Sequence, residues 1–491
     1  MSLASVRGQR CLRHLATYSP VAAYPCGTQV KQIELSRGIG WTRTEPARMA
    51  WIAPLFYSIF AALALLLPES RFPEVEYYYR AHDRAYPLEN VVALISLWVL
   101  ALIPWIAVVA RRKVKTPLPL LIIPIAVVAL TAISVRPPFT HDVFIYACQG
   151  RLLVALGVSP YKVAPLAFLN DPVLGALSRT WAHMTAVFGP LAILIYGLAN
   201  FLAPSAGLHG LGKLLKGFWL IPYALLFQKF WQRWSEVPQR EALMLAVFAN
   251  PAMLVYVFAE GHVDVVFLFF LILAGLALES RQPAKAALAL CASAAIKMSS
   301  MVMFPACACW LWSRDRKKAL IFSGTFLLSY GICSALINAG DLRAFLNFTE
   351  SFFDPSKLQV VPKLLATLGV QGLPALKLGS DLVFFAIIGL LCLTNLRGKG
   401  WNSPFLGMAL SAAALYFTRT YTQGWCTLWF FPLLWFTMKR PRDIYLSVGL
   451  WTVSILLYLI YWHTFLYNHW VCLLGFLVTL RQLPADAKPA E

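Results

Sequence analysis

What most constrains this chain is the recurrence of apolar runs about 17 to 25 residues long, the length a helix needs to cross a bilayer. They fall at 50–67, 90–110, 117–135, 186–204, 211–228, 241–258, 262–279, 319–339, 381–396, 403–417, 422–437, 443–462 and 465–480. Lipid offers the backbone no hydrogen-bond partner, so each run must satisfy its own N–H and C=O groups as helix. Composition agrees: 59% of the 491 residues are hydrophobic and 13% charged, with a mean hydropathy of +0.66. A soluble domain cannot hide that much apolar surface. The expected fold is an all-α polytopic membrane protein with roughly 12 to 14 membrane segments.

A formal charge of +20 would suit an anionic partner such as nucleic acid, but the basic residues sit in short loops between the apolar runs. These are "RRKVK" 111–115, "KFWQRW" 229–234, "RDRKK" 314–318, "RGK" 397–399 and "KRPR" 439–442. That is the distribution of cytoplasmic loops, so no nucleic-acid partner is expected. Counting spans from these loops puts 136–185, the turn at 259–262 and the segment 340–380 on the opposite, outer side. If 186–204 and 211–228 both crossed, "KFWQRW" would land outside, so one of the two is expected to be re-entrant or interfacial. The ten cysteines form no C-x-x-C pair and read as small buried hydrophobes. Residues 1–48 carry arginines but no long apolar core and read as a disordered cytoplasmic arm. One membrane domain follows over 49–481, then a short tail at 482–491.

The polar stretch "FTHDVFIYACQGRLLVALGVSPYKVAP" (139–165) is the exception to the grease. "RPPF" breaks the preceding span, and Val143, Tyr146, Ala147, Leu153 and Val154 then fall largely on one stripe, as in an amphipathic helix lying on the outer leaflet. Asp142 has two readings. It can cap that helix, or, with its pKa lifted by partial desolvation, it can take a proton from a hydroxyl. "NPAMLVYVFAEGHVD" sets Glu260, His262 and Asp264 between two apolar runs on the same side. Ionisable groups so placed call for a partner, a cavity or a ligand, the bland alternative being a solvated turn with Asp264 at a helix start. Lys297 interrupts the apolar stretch 284–312, whose flanks both read as cytoplasmic. A hairpin carrying Lys297 into the outer half of the membrane fits. There its ammonium needs an anion such as a lipid phosphate, unless it snorkels to the interface.

These residues carry a resemblance. "THDVFIYACQGRLLVALGVSPYKVAP" resembles the S-R-D-V-Y-S-Y…Q-G…G-x-x-P-Y…G-P signature of the polyprenol-phosphate-mannose-dependent α-1,6-mannosyltransferases, members of the GT-C superfamily. "VFGPLAILIYGLA", "NPAMLVYVFAEGHVD" and "AAIKMSSMVMFP" resemble that family's further elements, in the same order, over about 117–312. Three positions depart from the pattern: His141 stands for Arg, Val263 for Asn and Phe188 for Tyr.

The resemblance implies a GT-C-type bundle with an extracytoplasmic surface helix, set in a bacterial cell (inner) membrane with its active site facing outward. It implies inverting transfer of a hexose, above all mannose, from a polyprenyl monophosphate to a lipid- or glycan-linked hydroxyl, with Asp142 as the catalytic carboxylate. His141, Tyr146, Arg151, Tyr161, Glu260, His262, Asp264 and Lys297 are then expected at the donor phosphate and sugar, Lys297 and His262 offsetting the charge that grows on the leaving phosphate. No cofactor is obligatory, though Glu260 and Asp264 leave room for a divalent metal. The expected partners are the lipid-linked donor, the acceptor and membrane lipids. "GVSPY" (157–161) reads as a turn, 340–380 as a lid or acceptor groove, and Arg419 with Trp425 as a patch for stacking on sugar faces. The rivals are a flippase or secondary transporter for a lipid-linked sugar, and a ligase-type enzyme drawing on a lipid diphosphate. A transporter would hold its charges at the midplane of crossing helices, whereas Asp142 is placed in a loop.

Overall fold

Prolines and polar breaks divide the apolar runs into helices, and among the described residues there is no strand. The computed structural model describes residues 52–59, 61–63, 66, 88–111, 116–137, 140, 142–177, 179–336, 360–398, 400–418, 424–460 and 465–483. All of them lie in the unit Arg48–Glu491. In chain order the principal helices are α1 (Leu88–Ala110), α2 (Leu118–Ser134), α3 (Asp142–Val154), α4 (Pro190–Leu202), α5 (Leu208–Arg233), α6 (Arg240–Phe248), α7 (Pro251–Ala259), α8 (Asp264–Glu279) and α9 (Pro283–Ile296). They continue with α10 (Phe304–Trp312), α11 (Arg316–Leu336), α12 (Val360–Thr367), α13 (Leu373–Leu396), α14 (Pro404–Thr418), α15 (Phe431–Trp435), α16 (Pro441–Ile460) and α17 (Phe465–Arg481).

The polytopic all-α expectation holds, with helices falling on the apolar runs. By length and composition three of them can cross a membrane, α5 and most of α11 and α13, and a fourth joins them if α6 and α7 form one broken span. This is fewer than the 12 to 14 segments expected, because breaks cut many runs into short apolar pieces. The pair α6–α7 is bent by 46° at Asn250-Pro251. There the Asn250 side chain accepts from the Ala252 N–H at 3.0 Å and donates to Thr452 Oγ1 of α16 at 2.7 Å. The runs 186–204 and 211–228 differ in the length of helix they hold. The 13 residues of α4 span about 20 Å at 1.5 Å per residue, short of the roughly 30 Å hydrocarbon core, whereas α5 has 26 residues.

Among the described residues, the basic stretches 229–234, 314–318, 397–398 and 439–442 gather at one end of the bundle. Arg233, closing α5, pairs with Glu279 at the end of α8 at 3.0 Å and donates to the Phe436 carbonyl at 3.2 Å. Arg314 donates to the Trp401 carbonyl at 3.1 Å. Burial first and then the nearby Arg281 pull its guanidinium below the ordinary range. Because Arg281 and Arg314 flank the stretch 283–312, their proximity makes α9 and α10 the two legs of a hairpin with Lys297 at its far tip.

Two expectations need correcting. Helix α3 is not a one-sided surface helix: Val143 through Gly150 and Leu152 are all buried, because α4 and the first half of α5 pack over it. The segment 340–380 is not a continuous loop, since α12 and the start of α13 occupy it from Val360 on. Its residues 340–359 lie outside the described residues.

Candidate functional site

The site begins where α3 does. The Thr140 N–H donates to Glu260 Oε2 at 2.7 Å, tying the entry of α3 to the turn after α7. That turn opens from a π-helical winding at Val255–Ala259, a widened turn found often at functional sites. It closes with the Glu260 N–H on the Val255 carbonyl (2.8 Å) and the His262 N–H on the Tyr256 carbonyl (3.1 Å). Gly261 makes the reversal at φ +76°, and a Cβ there would stand 3.0 Å from the Lys216 and Val143 side chains. Trp219 Nε1 donates to the Gly261 carbonyl at 2.9 Å. The result sets His262 Nδ1 3.3 Å from Asp142 Oδ2, with the His262 side chain fully buried and that of Asp142 21% exposed.

Beside this pair lies a second one. Asp264, at the first turn of α8, is fully buried and meets the Lys297 ammonium at 2.9 Å. Its same oxygen accepts from Trp429 Nε1 at 2.5 Å, and the ammonium stands 4.9 Å from the centre of that indole. Lys297 owes its place to the end of α9, where the backbone turns extended at φ −143°. The Gly189 N–H donates to the Ile296 carbonyl at 3.0 Å, an approach so close that a Cβ on Gly189 would fall 2.4 Å from the Ala295 carbonyl oxygen. Tyr146 joins the two pairs. Its ring stacks on Tyr196 at 4.7 Å and meets Phe188 edge-on at 4.8 Å. Its hydroxyl lies within the electrostatic reach of both Asp142 and Asp264.

The structure thus brings together Asp142, Tyr146, Glu260, His262, Asp264 and Lys297, but pairs them differently from the sequence reading. His262 faces Asp142. The anion that Lys297 needs is Asp264, a protein carboxylate. Arg151 is not in the cluster. About two and a half turns of α3 away from Asp142, its Nε pairs with Asp171 Oδ2 at 3.1 Å and its Nη1 donates to the Pro204 carbonyl at 2.9 Å. Burial works against ionisation of Asp171, but the N–H groups of Leu174 and Val173 together with Arg151 outweigh it and hold that carboxyl below its usual range. Tyr161 closes the "GVSPY" turn by donating to the Phe188 carbonyl at 2.8 Å, a structural part. His141, Arg419 and the Trp425 side chain lie outside the described residues. Trp429 was missed, and its only signal is the indole four residues beyond Trp425 in an aromatic-rich stretch. Among the described residues no three His, Cys, Asp or Glu side chains converge as metal ligands.

Residues 65–314, half of the chain, match the MptA_B family, described as alpha-(1->6)-mannopyranosyltransferase, N-terminal domain. The chain belongs to this family of mannosyltransferases. The match takes in every clustered residue from Asp142 to Lys297 and stops short of Trp429. No curated protein and no solved structure matches the chain. As a member of a mannosyltransferase family, the protein is expected to use a sugar donor and an acceptor, and its helices are those of a membrane protein.

Proposed function

We propose that this mannosyltransferase moves mannose, with inversion, from a polyprenyl monophosphate to a lipid- or glycan-linked hydroxyl at the outer membrane face, with Asp142 as general base. The observation that carries this reading is the asymmetry of the Asp142–His262 pair: the carboxylate is the partly exposed member and the imidazole the buried one. Only the exposed member can reach an acceptor, so His262 positions and Asp142 reacts. The acceptor oxygen attacks the anomeric carbon as its proton passes to Asp142. The bond from that carbon to the phosphate oxygen breaks, and its electron pair leaves with polyprenyl phosphate, a leaving group that needs no general acid. Tyr146, between the two carboxylates, stiffens the floor of the site. The outer location is supported by the basic loops at the far end of the bundle, the end that the positive-inside tendency assigns to the cytoplasm.

The test is Asp142→Asn, nearly isosteric but unable to take the proton. Purified wild type and variant are compared for release of polyprenyl phosphate from polyprenyl-phosphate-mannose with mixed acceptors. A general base contributes about 10²–10⁴-fold, so turnover should fall at least about a hundredfold in a protein that unfolds at the wild-type temperature. Near-normal turnover would remove Asp142 from the base role.

A further inference from the structure

Trp429 stands outside the matched residues 65–314, yet it touches both members of the Lys297–Asp264 pair. Its Nε1 donates to Asp264 Oδ1 at 2.5 Å, and its ring centre lies 4.9 Å from the Lys297 ammonium. Both members are torsionally loose. Lysine carries its charge on a flexible four-carbon stem, and an aspartate carboxylate turns easily about its last bond. The Asp264 carboxylate is held at one oxygen: Oδ1 accepts from the ammonium and the indole, while the buried Oδ2 has no partner among the described residues. Asp264 is in turn the one hydrogen-bond partner of the ammonium among those residues. The indole is the rigid corner of this triangle. It is buried at the end of the short 3₁₀ helix Gly424–Trp429, 6.0 Å from the centre of the Phe267 ring. Trp451 of α16 pins that helix by donating to Thr427 Oγ1 at 2.8 Å.

We propose that Trp429 is a positioning residue for the transfer, fixing the Lys297 ammonium in the site through the carboxylate oxygen they share. Of the pair, Lys297 is the partly exposed member and Asp264 the enclosed one, so the ammonium is what a bound molecule meets. Transfer moves negative charge from the acceptor oxygen to the leaving group, and a cation stabilises that movement most when it need not reorganise. The inference rests on the transfer reading above and adds to it that the C-terminal part of the chain supplies a working part of the site.

The experiment follows single-turnover release of polyprenyl phosphate from polyprenyl-phosphate-mannose, with donor titration, for the full chain in nanodiscs. Trp429→Phe keeps an aromatic face and loses the N–H. Trp429→His keeps an N–H, because the imidazole Nε2 sits at the ring position of the indole Nε1. Trp429→Phe should lower the rate at saturating donor at least about tenfold, the loss expected for one charge-assisted hydrogen bond. The half-saturating donor concentration should move less, and Trp429→His should recover part of the rate. If Trp429 only fills space, phenylalanine is the better replacement and the order of the two variants reverses, which overturns the inference. Trp435→Phe is the control. It removes a buried indole hydrogen bond of the same kind, to Ser447 Oγ at 2.8 Å, and should turn over as wild type, so a loss equal to that of Trp429→Phe also overturns the inference. A second measurement requires no turnover and stands even if the donor reading fails. The fall in unfolding temperature on Trp429→Phe should shrink in a background of Lys297→Met with Asp264→Asn, where the charge it serves is gone, and an undiminished fall counts against the positioning role.

Discussion

At Lys297 a charge removed is a charge left behind. Asp264 is fully buried, and its Oδ1 meets both the Lys297 ammonium and the Trp429 indole. Breaking a buried pair by deleting one member costs about 3–5 kcal/mol, because the other stays ionised in an apolar setting. Lys297→Met should therefore destabilise the folded protein by about that much, and adding Asp264→Asn should restore most of it, as read by thermal unfolding of the single and double variants in nanodiscs. A lysine that merely snorkels would tolerate Met, with no rescue to measure. Both residues are legible in the sequence as charges out of place among apolar runs. That they answer each other is not, because the contact joins positions 33 residues apart through the geometry of a hairpin. Trp429, 165 residues from Asp264, is further out of reach of any local pattern. Arg151 misleads for the same reason: its partner Asp171 is supplied by a loop.

Among the elements, the turn between α7 and α8 has the least freedom. Gly261 is held in the left-handed region with Lys216 and Val143 against its Cα. An L-residue there costs about 1–2 kcal/mol for conformation alone, and the added methyl must push one neighbour aside. Gly261→Ala should lower the unfolding temperature and cut turnover more than it raises KM, since it shifts His262 away from Asp142. Equal kinetics in the variant would mean that the turn does not set the catalytic geometry. The existence of these helices is readable from runs, prolines and glycines, including the break at Asn250-Pro251. The surroundings of α3 are not. Its apolar stripe is compatible with a leaflet surface, and only the later segments 190–202 and 208–218 cover its remaining face.

For the molecule as a whole, sidedness is the claim open to direct measurement. With the ten native cysteines replaced, Lys162→Cys, in the exposed turn after α3, should react with a membrane-impermeant maleimide applied to intact cells. Ser313→Cys, between α10 and α11, should react only after permeabilisation. The reverse pattern would place the carboxylate cluster on the cytoplasmic side. The contact between Trp429 and Asp264 adds an element of time. Synthesis adds roughly 5–20 residues per second, so the indole leaves the ribosome on the order of ten seconds after Lys297. Through that interval Lys297 and Asp264 are both outside the ribosome, while the indole that walls their contact is not. A ribosome stalled later in that interval, once residue 314 has emerged, or a message cut short there, would leave in the bilayer a protein bearing all the matched family residues and an unfinished site.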